Sequence, residues 1–125
     1  MSESIFKSVE FKLYLSKAQE ETLTSWLKQC CWIYNKCLEQ RKKAWERRQE
    51  LITAFDQTAL LVTWRAKLKW LNAPSAFQRS AIQRVDKAFK AFFRRVRNRA
   101  TQVGYPRFKA LRRYHSMTQS DVYVY

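Results

Sequence analysis

The residues of this chain with the most evident chemistry are cations. Between positions 79 and 113 stand Arg79, Arg84, Lys87, Lys90, Arg94, Arg95, Arg97, Arg99, Arg107, Lys109, Arg112 and Arg113, against a single acid, Asp86. A solvated helix face ordinarily mixes both signs, because opposite charges three or four residues apart support the helix. Twelve bases to one acid is instead the pattern that neutralises phosphates, each one releasing condensed counterions from DNA or RNA. Guanidinium forks bind phosphate oxygens in pairs, and Tyr105, Phe108 and Tyr114 interleave with Arg107, Lys109, Arg112 and Arg113. Aromatic faces so placed stack on bases or sugars. The competing structural reading is that Phe108 fills a core and Pro106 fixes a turn.

Other chemistries find little support. His115 is the sole histidine and makes no triad by itself, and neither a glycine-rich phosphate loop nor a pair of catalytic carboxylates is evident. The ten acids are too few and too scattered for a two-metal nuclease site. Cys30, Cys31 and Cys37 are an odd number within one helix-like stretch, which is no disulfide framework and points to the reducing cytoplasm. Zinc needs complementary Cys or His partners, and Cys30 and Cys37 fall on an apolar stripe, so core thiols are the expectation. No catalysis, metal or cofactor is expected in these residues.

The chain has 125 residues, 46% of them hydrophobic, with one Gly, two Pro and a formal net charge of +15. That is one domain's worth of chain with material for a core and a strong demand for an anionic partner. No secretory leader is evident, and no apolar run approaches the ~18 residues that span a membrane. The charge is graded: residues 1–40 are neutral, 41–72 carry +5, 73–113 carry +11, and Asp121 contributes the only charge beyond.

The elements that must position the cations follow from periodicity. Residues 5–15 alternate, with Val9, Phe11, Leu13 and Leu15 on one side, and predict a half-buried strand. Ser16, with Gln19 three residues on, predicts a capping box opening a helix over 17–51, whose stripe is Leu23, Trp26, Leu27, Cys30, Tyr34, Cys37, Leu38 and Trp45. A second helix is expected over 56–71, capped by Asp56, with Leu60, Leu61, Trp64, Leu68 and Leu71 on one side. Asn72 to Ser75 breaks the chain, and Ser75 caps a third helix over 76–100 with Ala81, Val85, Ala88, Phe89, Phe92 and Val96 as its stripe. A turn over 101–108 and a strand over 117–125 complete the reading.

These residues resemble the N-terminal region of TnpB (OrfB) proteins, transposon-encoded RNA-guided nucleases related to type V CRISPR effectors. The likeness runs through Phe11-Lys-Leu-Tyr-Leu15, Gln19, Leu23, Tyr34-Asn35-Lys36 and Leu38. It is most specific in Asp86-Lys-Ala-Phe-Lys-Ala-Phe-Phe-Arg-Arg95 followed by Gly104-Tyr-Pro-Arg-Phe-Lys109. The resemblance implies an α+β, mostly α fold: a three-helix recognition domain inserted between strands of an incomplete oligonucleotide-binding-type barrel. Residues 1–16 would form the first wedge-type strand, 17–100 the helical recognition domain, and 101–125 the basic turn and returning strand. It implies structured RNA and duplex DNA as partners, with Ser75, Gln78, Arg79, Thr118 and Gln119 where the family touches its target-adjacent DNA motif. Trp32 and Ile33 precede Tyr34 where the family often has Arg, and Arg79 stands where it often has Gln, a change that favours guanine edges. The family's magnesium-binding nuclease acids and zinc ribbon fall beyond the last residue. The expectation is therefore a binding module without its own catalysis; the alternatives are a subunit docking on a separately encoded nuclease half, or a decayed copy.

Overall fold

The computed structural model describes residues 16–98 and 104–114. Among them are three α-helices, α1 (Lys17–Arg48), α2 (Ala54–Lys67) and α3 (Ser75–Arg97), and a short 3-10 turn, Leu111–Arg113. The capping box at Ser16 forms as its spacing predicts: the Gln19 N–H donates to Ser16 Oγ (3.2 Å) and the Ser16 N–H to Gln19 Oε1 (2.9 Å). α1 stops where Gln49 turns left-handed (φ 51°, ψ 35°), its N–H and that of Glu50 returning to carbonyls of the last turn.

Several boundaries differ from expectation: α1 stops at Arg48 rather than 51 and α2 at Lys67 rather than 71. α2 is capped by Thr53 rather than Asp56, and Asp56 instead takes the third helical position of a reciprocal capping box at 3.1 Å in both directions. α3 begins at Ser75 after Pro74, without a side-chain cap. Pro74, with its φ near −52° and no N–H to satisfy, enters the helix at little cost.

The expected α+β architecture is corrected. The described residues are all-helical, with no strand, sheet or barrel among them. The strands expected over 5–15 and 117–125 lie outside the described residues. The returning segment, 104–114, seats itself on α1 as a strap. The Asn35 side-chain amide donates to the Lys109 carbonyl and its Oδ1 accepts from the Lys109 N–H, both at 2.8 Å. One amide thus occupies the two backbone groups that a strand would offer to a neighbour.

The core lies between α1 and α3 and is closed by α2 and Tyr114. Cys30, Ile33, Tyr34, Cys37 and Leu38 of α1 meet Ala81, Ile82, Val85, Phe89 and Phe92 of α3, with Leu61 and Leu71 at the side. Two polar networks tie the helices together. In one, Gln29 accepts from the Ala73 N–H (2.8 Å) and from Gln78 (3.1 Å), while Arg65 donates to the Ala73 carbonyl (2.7 Å) and to Gln78. In the other, Arg41, 6% exposed, donates Nε to Gln57 (2.8 Å) and pairs through Nη1 with Asp86 (3.0 Å). Gln57 in turn donates to the Cys37 carbonyl at 2.9 Å.

Removing Asp86 leaves a guanidinium buried without its counter-charge. Asp86→Ala is expected to lower stability by about 3 kcal/mol in urea unfolding. Burial raises the Asp86 carboxyl, but the hydrogen bonds and charges of Lys90 and Arg41 outweigh it and hold the group below its ordinary value. Its stabilisation is therefore present above the unfolded carboxyl pKa near ~4 and lost as pH falls through the lower folded value. Asp86→Asn should remove that part of the acid dependence; an unaltered profile would dismiss the assignment.

Candidate nucleic-acid interface

The apolar stripe of α3 leaves the opposite side to solvent, and that side carries Arg79, Gln83, Lys87, Lys90, Arg94 and Arg97 at steps of four, four, three, four and three residues. All six are exposed. At 1.5 Å per residue the column runs roughly 27 Å along the helix. Lys90 pairs with Asp86 at 3.0 Å, so part of its charge is already answered. Arg79 donates to Ser75 Oγ at 3.3 Å, which holds the guanidinium over the first turn. Arg95 stands to one side and donates to the Gly104 carbonyl at 3.4 Å, joining the helix to the strap.

The remaining expected residues divide by depth. Arg107, Arg112 and Arg113 are exposed along the strap. Arg84 is partly buried, its guanidinium 5.0 Å from the Tyr114 ring centroid. The Lys109 ammonium lies 5.1 Å from the Tyr34 ring and 5.8 Å from that of Tyr114. Tyr105 stacks on Phe92 (4.8 Å, 23°) under the Lys42 ammonium at 5.3 Å, so it closes the core more than it offers a face. Gln78 is fully buried and committed to Arg65 and Gln29. Arg99, Thr118 and Gln119 lie outside the described residues.

Sequence reading missed Arg41 and Lys42. The signal for Arg41 was present: positions 34, 37, 41 and 44 continue the apolar stripe of α1 in steps of three, four and three, which places a cation in the interior. Phe108 and Trp70, roughly half exposed, are likewise not explained by core packing.

Residues 1–50 match the family model of a helix-turn-helix domain of IS605-type OrfB proteins. Over that stretch the chain is similar to the N-terminal region of OrfB-type transposon proteins. No curated protein and no solved structure matches it. A helix-turn-helix domain of this OrfB family points to DNA as the ligand. Within the matched stretch, residues 17–48 form one continuous helix, α1, which presents its buried face to α3 and so holds the basic column in place. No helix among the described residues is long and apolar enough to cross a membrane.

The three cysteines stand in the core. Cys30 Sγ donates to the Phe77 carbonyl (3.5 Å) and Cys31 Sγ to that of Lys109 (3.4 Å). Burial pushes the Cys30 thiol up to about 11 and Cys37 up to about 12, against the pull of Arg84 and Arg41 respectively. Neither is a thiolate at neutral pH, and the thiolate is the form that binds metal or attacks. Raised folded values mean that their stabilisation is whole below the unfolded thiol pKa near 9 and fades as pH climbs to about 11 and 12. Iodoacetamide at pH 8 is expected to leave Cys30 and Cys37 unmodified in the native chain and to label both in urea, as mass spectrometry would show. Rapid native labelling would remove them from the core.

Proposed function

We propose that this chain is the recognition module of a TnpB-type protein, holding the phosphate backbones of a structured guide RNA and of duplex DNA beside the target. The observation that carries this reading is the α3 column, Arg79, Lys87, Lys90, Arg94 and Arg97, on the side away from the core. The only acid of residues 73–113, Asp86, is turned toward Arg41 and Lys90 and does not offset the rest of the column. Arg107, Arg112 and Arg113 extend the positive surface along the strap. These groups bind and orient; any strand cleavage belongs to nuclease residues elsewhere. Arg79, one turn into α3, suits bidentate contact with a guanine edge, whereas the cations further along suit phosphates.

The reading is tested by salt. Neutralising four phosphates, one each by Lys87, Lys90, Arg94 and Arg97, predicts a slope of log affinity on log salt of about −3.6 for duplex DNA. Lys87→Ala, Arg94→Ala and Arg97→Ala should each flatten that slope by about one, measured by fluorescence anisotropy, and Lys90→Ala by less because Asp86 already answers it. Affinity that stays flat between ~50 and 200 mM salt would overturn the proposal.

A second reading has its own support. Phe55, Ala59, Val62 and Ala66 form an outward stripe on α2, with Phe55 82% exposed, and Leu51 stands exposed just before them. An apolar stripe on that scale suits a protein partner, such as a separately encoded nuclease half. Phe55→Glu is expected to abolish co-purification with such a partner while leaving anisotropy titrations with DNA unchanged. Retained co-purification would dismiss the docking role.

A further inference from the structure

α1 carries a second stripe, Lys28, Trp32, Lys36, Glu39 and Lys43, at steps of four, four, three and four residues, with Lys28 and Lys43 exposed and the three between them half-buried. It lies on the side away from Cys30, Tyr34, Cys37 and Arg41, which face the core. Trp32 is fixed edge-on between two other indoles, Trp64 at 5.6 Å and 80° and Trp70 at 5.1 Å and 85°. On its other side an open cleft of about 300 Å³ is lined by Trp32, Asn35, Lys36, Glu39 and Phe108. Trp70 is 48% exposed and Phe108 is 52% exposed. The rings are large, apolar and left to water, yet held in place: Phe108 adjoins Lys109, whose backbone is clamped by Asn35.

Their surroundings are cationic. Arg107 is exposed beside Phe108, and Lys67 and Lys69 are exposed beside Trp70. The one acid in the cleft, Glu39, is bridged by Lys36 (3.7 Å) and Lys43 (3.4 Å). Exposed rings among cations are a surface for stacked bases with phosphates alongside. A duplex keeps its bases stacked on each other, so only an unpaired base can reach such a ring.

We propose that the face built from Trp32, Trp70 and Phe108 stacks unpaired bases of single-stranded nucleic acid, with Lys36 and Arg107 on the adjoining phosphates. It rests on the reading that the chain binds nucleic acid, and adds to the phosphate column of α3 a separate site for single strands. The charge complementarity and the ring exposure name the occupant; a protein partner has no need of the flanking cations.

The experiment titrates the full chain with labelled oligo-dT and oligo-U of about twelve nucleotides, and with a blunt duplex as control. Phe108→Ala and Trp70→Ala are each expected to weaken single-strand binding roughly five- to a hundredfold, with duplex affinity and its salt slope unchanged. Phe108→Trp should restore it. Loss on oligo-U alone assigns the face to RNA, loss on oligo-dT alone to DNA, and loss on both to either strand; each outcome supports the site. Both positions are half exposed, and thermal melts by circular dichroism verify that the variants fold. Unchanged single-strand affinity, an equal loss on duplex and single strands, or a shift in sedimentation with unaltered affinity would each overturn the proposal. Failure of the α3 reading looks different: it is an unchanged salt slope in the α3 variants, and it leaves the ring comparison interpretable.

Discussion

The buried guanidinium of Arg41 is the constraint on which the rest of this fold depends. It belongs to α1, donates to Gln57 of α2 and pairs with Asp86 of α3, and lies 5.9 Å from the Phe89 ring centroid. Taking such a cation out of water costs several kcal/mol, and only a well-placed counter-charge and hydrogen bonds offset it. The register of all three helices is therefore tied to one side chain. A hydrophobic residue at the same place would tolerate sliding; a guanidinium with fixed donor directions does not. The same pairing explains the composition of the basic third. Its single acid is drawn to the interior cation, which leaves the outward charge of α3 almost unopposed.

Much of this was legible in residue spacing. The capping box at Ser16, the core position of Cys30 and Cys37, and the amphipathic character of α3 all follow from local pattern, because each depends on neighbours within a turn or two. What escaped depends on distant partners. Gln78 reads as an exposed polar residue at a helix start, but its environment is set by Gln29, forty-nine positions away. The strap could not be foreseen as a strap, since its turn-like residues leave the backbone partner open and only Asn35, seventy-four positions from Lys109, supplies it. Thr53 and Asp56 are side chains of similar capping strength three residues apart, and local pattern alone does not choose between them for the cap that Thr53 holds.

A net charge of +15 works against a compact chain, and the structure answers part of it internally. Arg84 over Tyr114, Lys109 over Tyr34 and Tyr114, and Lys42 over Tyr105 set cations against ring faces. Each such contact contributes on the order of 0.5–1 kcal/mol at partly exposed positions. They also serve position: the strap carries Tyr105, Lys109 and Tyr114 as successive anchors, so the exposed Arg107, Arg112 and Arg113 between them project from a held backbone.

That arrangement separates two tasks that basic proteins often combine. The cations of α3 stand on a helix whose inner face is locked by Phe89, Phe92 and the Arg41 network, so their spacing is rigid along the axis. A rigid column matches a regular backbone, in which phosphates recur at fixed intervals and binding needs no base to be exposed. The strap and the outer side of α1 offer the converse, with rings held from below and their faces open, where affinity requires a base to leave its stack. One core thus supports both surfaces, because α1 meets α3 through Cys30, Tyr34, Cys37 and Arg41 while Trp32 and Lys36, one or two positions away on the helix, stand half-buried on its opposite side. Helical geometry makes that division unavoidable: a stripe that buries one set of side chains must expose the intervening one.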